Sequence, residues 1–297
     1  MIIRDYLSLR KLEVLILKIK SIIRAVVISI VIGYMSIVCI LYFSQDSMIF
    51  INQTLTNAEV KIINSQFENC EEVRITTTDN IKLHGWYVKN SELKKAPLII
   101  YFGGNAEEVS NFIHYKDSLK GWDIVAINYR GYGLSEGKPS EKNIFKDAEY
   151  IYDSFAKRSD IDNNKIIVMG RSLGSGVAVH LAYERKLAGV ILVTPYDSIT
   201  KVAQEEISYI PVSLFIKNPF DSIKIAPKIS TPMIALAAEN DTFIPPKHAI
   251  KLVEKWGGSH EIKIVKNTEH NTIQNGEGYW ESINEFLIRI VESLKSE

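Results

Sequence analysis

The chain has 297 residues, of which 46% are hydrophobic and 24% charged, enough for one large domain or two small ones. Its 35 lysines and arginines balance its 35 aspartates and glutamates, so no basic excess favours a nucleic-acid partner. The two cysteines, Cys39 and Cys70, exclude a disulfide framework and a zinc cluster, and the six histidines lack metal-ligand spacing. We therefore expect the chemistry to come from side chains, with no cofactor and no metal.

The first predicted element is a membrane-spanning helix at residues 25–43. This segment reads AVVISIVIGYMSIVCILYF, an uncharged run of about the length that crosses a bilayer. A buried core helix and a cleaved signal peptide are the alternatives. The run is apolar on every face, too long for a signal peptide, and followed by no small-residue cleavage site.

The charges on either side of this run predict its orientation. Six basic residues precede it within residues 1–24, and no lysine or arginine follows it until Lys61. By the positive-inside rule, residues 1–24 form a cytoplasmic N-terminus at the cell membrane. The remaining chain, beginning with a mixed polar and apolar stem at 44–72, is then expected outside the cytoplasm.

A domain is predicted from residue 73 to residue 297. It begins with an antiparallel hairpin of residues 73–78 and 81–88, because apolar and polar residues alternate around an Asp-Asn turn. Residues 98–102 form a predicted buried strand that ends in two glycines, with a helix after it to about residue 120.

The remaining elements repeat a strand and helix pattern. Further strands are predicted at 122–129, 166–169, 189–193, 233–238 and 261–265, with helices at about 140–158 and 277–294. Strands that alternate with helices predict an α/β fold with a mostly parallel sheet and helices on both faces.

One segment, 198–230, departs from this alternation and is rich in apolar residues. It is either a packed helical connection or a small cap over the site. A cap is the preferred interpretation, because insertions at the carboxyl ends of strands border the ligand crevice.

The most informative segment is 166–180, IIVMGRSLGSGVAVH. Four apolar residues run into Gly-x-Ser-x-Gly and then into a helix pattern, which predicts a strand, a tight turn and a helix. Gly170 and Gly174 are needed where a Cβ would collide with a neighbouring strand or helix. The turn exposes the hydroxyl of Ser172, and the helix beginning at Leu173 directs unpaired amides towards an oxyanion formed beside it. The segment predicts a nucleophile and half of an oxyanion hole.

A serine nucleophile needs a base, and the base needs an orienting carboxylate. Asp241 follows the strand predicted at 233–238, and His270 follows the strand predicted at 261–265. Both lie in loops beyond strand ends, where catalytic groups of an open α/β sheet gather. The order Ser, Asp, His predicts Asp241 and His270 as the partners of Ser172.

Together these motifs resemble the α/β-hydrolase family. The resemblance is to its branch of single-pass membrane-anchored serine hydrolases, which includes depalmitoylating thioesterases and aminopeptidase-like hydrolases. It covers essentially everything after the anchor and rests on these segments: Gly85-Trp86-Tyr87, Phe102-Gly103-Gly104-Asn105-Ala106, Tyr129-Arg130-Gly131-Tyr132-Gly133, the nucleophile turn, Phe220-Asp221-Ser222, Asp241 with Pro245, and His270. It implies an α/β-hydrolase fold with a small cap insertion and an N-terminal transmembrane helix.

The resemblance also implies an oxyanion hole made by the Leu173 amide and an amide of the loop after residue 102. Asn105 is preferred as that second donor, with Gly104 beside it. The family usually has His-Gly where this chain has Gly103-Gly104. Some hydrolases of this fold carry the acid after an earlier strand, which makes Asp197 the alternative to Asp241.

The expected function is that of a membrane-anchored serine hydrolase acting on a small-molecule or acylated substrate. It would cleave an ester, thioester or amide through an acyl-enzyme on Ser172, with His270 as base and acid and Asp241 orienting it. The alternative is a catalytically silent scaffold that binds a ligand or partner at the membrane. Its only support is the loss of two His-Gly motifs of the family, at Gly103-Gly104 and at Ala238-Glu239. The sequence leaves the oligomeric state open.

Overall fold

The computed structural model describes residues 2–67 and 69–296. They form two compact units, one up to Gln45 and one from Asp46 onward. Met1 and Glu297, at the outer ends of the predicted N-terminus and domain, lie outside the described residues, as does Glu68 of the predicted stem.

The N-terminal unit belongs to one long helix, α1 (Ile2–Ile49). Its segment Arg10–Ile49 is long and apolar enough to cross a membrane, by length and composition. The predicted span at 25–43 lies inside this segment, and large apolar side chains such as Ile30 and Phe43 are exposed there (66% and 73%).

The second unit is built on an eight-stranded sheet with the order β1-β2-β4-β3-β5-β6-β7-β8. The strands are β1 (Cys70–Thr76), β2 (Lys82–Val88), β3 (Ala96–Phe102), β4 (Asp123–Ile127), β5 (Ile161–Arg171), β6 (Gly189–Val193), β7 (Met233–Ala238) and β8 (His260–Val265). β2 is antiparallel to both β1 and β4, and every other pairing is parallel. The predicted hairpin and mostly parallel sheet are confirmed.

Helices cover both faces of this sheet. They are α2 (Asn57–Gln66), α3 (Ser110–Ile113), α4 (Glu141–Ala156), α5 (Leu173–Glu184), α6 (Ile199–Glu206), α7 (Ser222–Ile225), α8 (Pro246–Glu254) and α9 (Tyr279–Ser296). The central strand β3 is buried throughout, and its side chains alternate between two cores. Leu98 and Ile100 belong to one core and Ile99 and Tyr101 to the other, as expected for a strand covered on both sides.

The strand order reverses between β3 and β5. The chain moves from β3 outward to β4 on one side, and from β5 outward through β6 and β7 on the other. At such a reversal the loops leaving the two strands diverge and open a crevice at the carboxyl ends of the strands. The loop after Phe102 and the turn at Ser172 both lie at this edge.

The helix predicted after β3 to about residue 120 is wrong in its extent. The structure has only the single turn of α3 and a 3-10 turn at Lys116–Leu119. The side chain of Glu107 accepts the Gly104 amide, and that of Glu108 accepts the Ser110 amide. These local side-chain bonds compete with helix formation and keep the start of the segment as a loop.

The insertion at 198–230 contains α6, α7 and two 3-10 turns. Phe220 is fully buried and packs against Phe50, while Tyr209 and Leu214 are exposed (66% and 74%). Ile199, the first residue of α6, lines the cavity described below. The first helix of the insertion therefore borders the site, and Phe220 packs its later part into the core.

The segment that follows α1 packs onto the same unit. Phe50 is buried, and the Ile51 amide donates to the Asn105 carbonyl at 3.0 Å. Residues in the predicted stem thus contact the loop after β3.

Candidate active site

The turn between β5 and α5 holds Ser172 in a strained conformation, with φ 51° and ψ −118°. A Cβ at position 170 would overlap the carbonyl oxygen of Gly174, and a Cβ at position 174 would overlap that of Phe102. Both glycines are needed for the close approach of strand and helix, as the sequence predicts. Backbone strain of this kind is typical of a nucleophile turn, where it projects the side chain out of the sheet.

Ser172, His270 and Asp241 form a continuous chain of hydrogen bonds. The Nε2 atom of His270 lies 2.9 Å from the Oγ atom of Ser172, and its Nδ1 atom lies 2.7 Å from the Oδ2 atom of Asp241. A carboxylate accepts hydrogen bonds only, so Nδ1 carries the imidazole proton. Nε2 is then free to accept the serine proton.

Asp241 is held in place by its own loop. Its Oδ1 atom accepts the amides of Phe243 and Ile244 at 3.0 and 2.8 Å. The Asp241 side chain is 1% exposed and that of His270 is 11% exposed, so little water reaches the bond between them. The carboxylate orients the imidazole in a site of low polarity, where such bonds are strongest.

The alternative acid, Asp197, lies next to a different histidine. Its Oδ1 atom is 2.8 Å from the Nδ1 atom of His248, and it also accepts the Ser198 amide. Burial opposes the charge of Asp197, but the bonds from His248 and Ser198 outweigh burial and lower its pKa. The structure therefore brings Asp241, and not Asp197, to His270.

The loop after β3 lies beside the serine. A Cβ at position 104 would stand 3.7 Å from the Cβ of Ser172. The Gly104 amide donates to Glu107 Oε2 at 2.9 Å, so the structure removes Gly104 as an oxyanion donor. The Gly104 carbonyl accepts the Glu107 amide, and in a trans peptide the next amide, that of Asn105, points the opposite way.

Leu173 is the first residue of α5, and the first amides of a helix have no partner within the helix. Its amide follows Ser172 directly in the chain. Leu173 and Asn105 are thus the two expected oxyanion donors that this geometry leaves available.

Two charged residues of the site, Glu107 and Arg171, are absent from the sequence-based prediction. They form an ion pair with Arg171 Nη1 at 3.1 Å from Glu107 Oε2. The sequence feature that could have identified them is their position, since Arg171 directly precedes the nucleophile and Glu107 follows the oxyanion loop. Their contact joins positions 64 residues apart and is not readable from either motif.

A cavity of about 780 Å³ opens over these groups. Its walls combine a polar set, Asn111, Asn271 and Gln274, with an apolar and aromatic set, Met48, Ile49, Ile51, Phe243, Ile244 and Trp280. Ser172 and His270 both line it, so a bound molecule can reach the serine hydroxyl.

Comparisons with known proteins agree with this fold. A family model described as serine hydrolase matches residues 149–289, and a second, described as an α/β-hydrolase of unknown function, matches residues 80–210. An uncharacterized membrane protein of Saccharomyces cerevisiae is 34% identical over 232 residues, which cover 73% of this chain and 79% of the relative. The α/β-hydrolase domain-containing protein WAV2 of Arabidopsis thaliana is 26% identical, with 76% and 81% covered.

Solved structures share the architecture. An esterase of Pyrococcus furiosus superposes with a TM-score of 0.62 at 21% identity, covering 80% of this chain and 95% of the esterase. An acetyl xylan esterase of a Paenibacillus species gives a TM-score of 0.58 at 17% identity, with 83% and 98% covered. At these identities the likeness establishes the fold alone. With the relatives above, the chain belongs to the α/β-hydrolase family.

Proposed function

We propose that this protein is a membrane-anchored serine hydrolase that cleaves an ester, thioester or amide through an acyl-enzyme on Ser172. The observation that carries the proposal is the 2.9 Å contact between Ser172 Oγ and His270 Nε2 at the wall of the cavity. The 2.7 Å contact of the same imidazole with Asp241 supports it. Serine hydrolases of unrelated folds use this arrangement.

In the first half of the reaction, Ser172 Oγ attacks the substrate carbonyl carbon as His270 Nε2 takes the hydroxyl proton. The carbonyl π electrons move to oxygen, and the Leu173 and Asn105 amides stabilise the resulting oxyanion. When the carbonyl reforms, the bond to the leaving group breaks and His270 returns its proton to that group. The acyl group is left on Ser172.

In the second half of the reaction, water is the nucleophile in place of the serine hydroxyl. His270 accepts a proton from water as the water oxygen attacks the acyl carbon, and the Leu173 and Asn105 amides stabilise the second oxyanion. Collapse breaks the bond to Ser172 Oγ, which recovers its proton from His270. Asp241 keeps the imidazole oriented throughout and stabilises its cationic form, and no cofactor is required.

A small-molecule or acylated substrate is the class that the cavity supports. About 780 Å³ is within the usual range for small-molecule sites. Apolar walls suit an acyl group, while Asn271 and Gln274 offer hydrogen bonds to a polar part. A panel of p-nitrophenyl esters of graded acyl length, together with aminoacyl amides, tests this class.

Labelling with a fluorophosphonate tests the reaction itself. Such reagents react with a serine whose proton is taken by a neighbouring base. We expect the full chain to be labelled and Ser172→Ala to lose the label while its circular dichroism spectrum stays the same. A folded, unlabelled wild type would instead indicate a catalytically silent scaffold.

Membrane anchoring is the second part of the proposal. Exposed apolar side chains along 25–43 would be covered by lipid, and the yeast relative is named a membrane protein. The basic flank favours a cytoplasmic N-terminus, with the hydrolase unit on the outer side. We expect the full chain to resist carbonate extraction, and added protease to digest the unit in intact spheroplasts. If protease digests the unit only after permeabilisation, the unit lies on the cytoplasmic side and the proposed orientation is wrong.

A further inference from the structure

The carboxylate of Glu107 gathers three donors beside the nucleophile turn. Its Oε1 atom accepts the hydroxyl of Tyr101 at 2.7 Å. Its Oε2 atom accepts the Gly104 amide at 2.9 Å and Arg171 Nη1 at 3.1 Å. The side chain is only 12% exposed, so these bonds are largely shielded from water. Glu107 thereby fixes the loop that carries the expected oxyanion donor Asn105.

Arg171 continues this connection to the histidine loop. Its Nη2 atom donates to Asn271 Oδ1 at 2.9 Å and approaches the main-chain carbonyl of His270 itself at 3.4 Å. Burial opposes the charge of Arg171, yet the nearby Glu107 carboxylate prevails, and the pKa of the guanidinium is raised. Arg171 is also the residue directly before Ser172, so one side chain contacts both loops from the nucleophile turn.

The glycine at position 103 is adapted to this pair. A Cβ there would stand 3.2 Å from the Cδ atom of Glu107, closer than side chains normally pack. A residue with a side chain at 103 would therefore crowd the carboxylate. Gly103 therefore leaves the Glu107 carboxylate uncrowded.

We propose that the Glu107–Arg171 pair is a positioning element that holds the oxyanion loop and the His270 loop at fixed distances from Ser172. The inference rests on the proposed hydrolase function. The side chain of Glu107 accepts the Gly104 amide, and its main-chain amide donates to the Gly104 carbonyl. Because the peptide between Gly104 and Asn105 is planar, fixing this carbonyl also fixes the direction of the Asn105 amide. Neither Glu107 nor Arg171 transfers a proton or bonds to substrate in this account.

Two conservative variants test the pair in the full chain. Glu107→Gln keeps the shape but removes the charge, and Arg171→Lys keeps the charge but lacks the fork that reaches two partners at once. We expect kcat to fall by about 10- to 100-fold with KM little changed, below the roughly 100- to 1,000-fold effect of deleting an oxyanion donor. The double variant should be about as slow as the slower single variant, because the link between the two loops runs through the contact of Glu107 with Arg171, which either substitution already weakens.

A readout independent of turnover separates this inference from the proposed function. Hydrogen–deuterium exchange should become faster in both loops, in peptides covering 103–107 and 268–274, in each variant. If exchange rises in the variants while the wild type hydrolyses nothing, the proposed function fails, but the inference that the pair holds the two loops is supported. Unchanged exchange in both loops overturns the inference.

The control is the ion pair of Arg185 and Asp153, a two-pronged contact at 2.8 and 2.9 Å that does not line the cavity. Asp153→Asn should leave kcat within about twofold, as surface changes away from a site generally do. If Glu107→Gln and Arg171→Lys match this control in kcat, or if their losses multiply in the double variant, the pair is not a positioning element.

Discussion

Two buried Asp–His pairs occur side by side in this molecule, and they face different surroundings. Asp241 follows β7 and contacts His270 at 2.7 Å, while Asp197 follows the neighbouring strand β6 and contacts His248 at 2.8 Å. In both pairs the carboxylate approaches the Nδ1 atom of the imidazole. The distance and burial of the pair alone therefore do not distinguish a catalytic assembly from a structural one.

The difference lies at the far nitrogen of each imidazole. His270 Nε2 is 2.9 Å from Ser172 Oγ and lines the cavity. His248 is 0% exposed, and its Nε2 atom lies 3.4 Å from the carboxylate of Glu205 on α6. We expect changes at the first pair to affect turnover, and changes at the second to affect stability.

The largest effect is expected from Ser172→Ala, which removes the group that the first pair serves. We expect kcat to fall by about 10⁴- to 10⁶-fold with little change in stability, because the hydroxyl contributes to chemistry and not to packing. Steady-state kinetics with a reactive p-nitrophenyl ester measures this loss. Adding Asp241→Asn should slow the variant scarcely further, since members of one triad act as a unit.

Asp241→Asn comes next and compares the two acids directly. Without the carboxylate, the imidazole of His270 is no longer held in the tautomer that accepts the serine proton, so kcat should fall by about 10³- to 10⁴-fold. The matched control is Asp197→Asn, which should lower kcat at most about tenfold through local changes in its loop. Near wild-type turnover in Asp241→Asn with loss of turnover in Asp197→Asn would reverse the assignment.

The second pair is tested through stability. His248→Leu leaves the Asp197 carboxylate buried without its imidazole partner, which should lower the free energy of unfolding by about 3–5 kcal/mol. Denaturant titration of the detergent-solubilised full chain measures this. His260→Gln, at an exposed histidine, should stay within about 0.5 kcal/mol. Equal effects at the two positions would contradict a structural role for His248.

The smallest effect is a dependence of stability on pH. Because the folded pKa of Asp197 is lowered, its contribution is fully present above the unfolded pKa of about 3.9 and is lost as pH falls through the folded value. The difference in unfolding free energy between wild type and Asp197→Asn should therefore shrink as the pH falls from about 5 towards the lowered folded pKa of Asp197. A difference that grows on acidification would exclude this account of the Asp197 carboxylate.

Sequence predicts the parts of the site that depend on local geometry. The apolar run at 166–169 predicts a buried strand leading into a glycine-rich turn, and the overlap at Gly170 and Gly174 follows from the close approach of strand and helix there. The positions of Asp241 and His270 follow from the rule that loops at the carboxyl ends of parallel strands converge.

The rest depends on contacts between distant residues. The predicted helix after β3 is interrupted because Glu107 and Glu108 bind loop amides, which helix propensity does not anticipate. The same Glu107 side chain accepts the Gly104 amide, which is why that amide is not an oxyanion donor. Asp197 follows its strand much as Asp241 does, and only the fold reveals which histidine each carboxylate meets.

The most direct test of the account is the site of acylation. The full chain is mixed with a p-nitrophenyl ester, quenched in acid and digested with pepsin, and the peptides covering 166–180 are sequenced by mass spectrometry. We predict one acyl group on Ser172, which Ser172→Ala abolishes. Ser175→Ala should retain it, because that hydroxyl is fully buried and donates to the Ser172 carbonyl at 2.7 Å. Ester hydrolysis that proceeds in Ser172→Ala, or an acyl group on another residue of the wild type, would contradict the account.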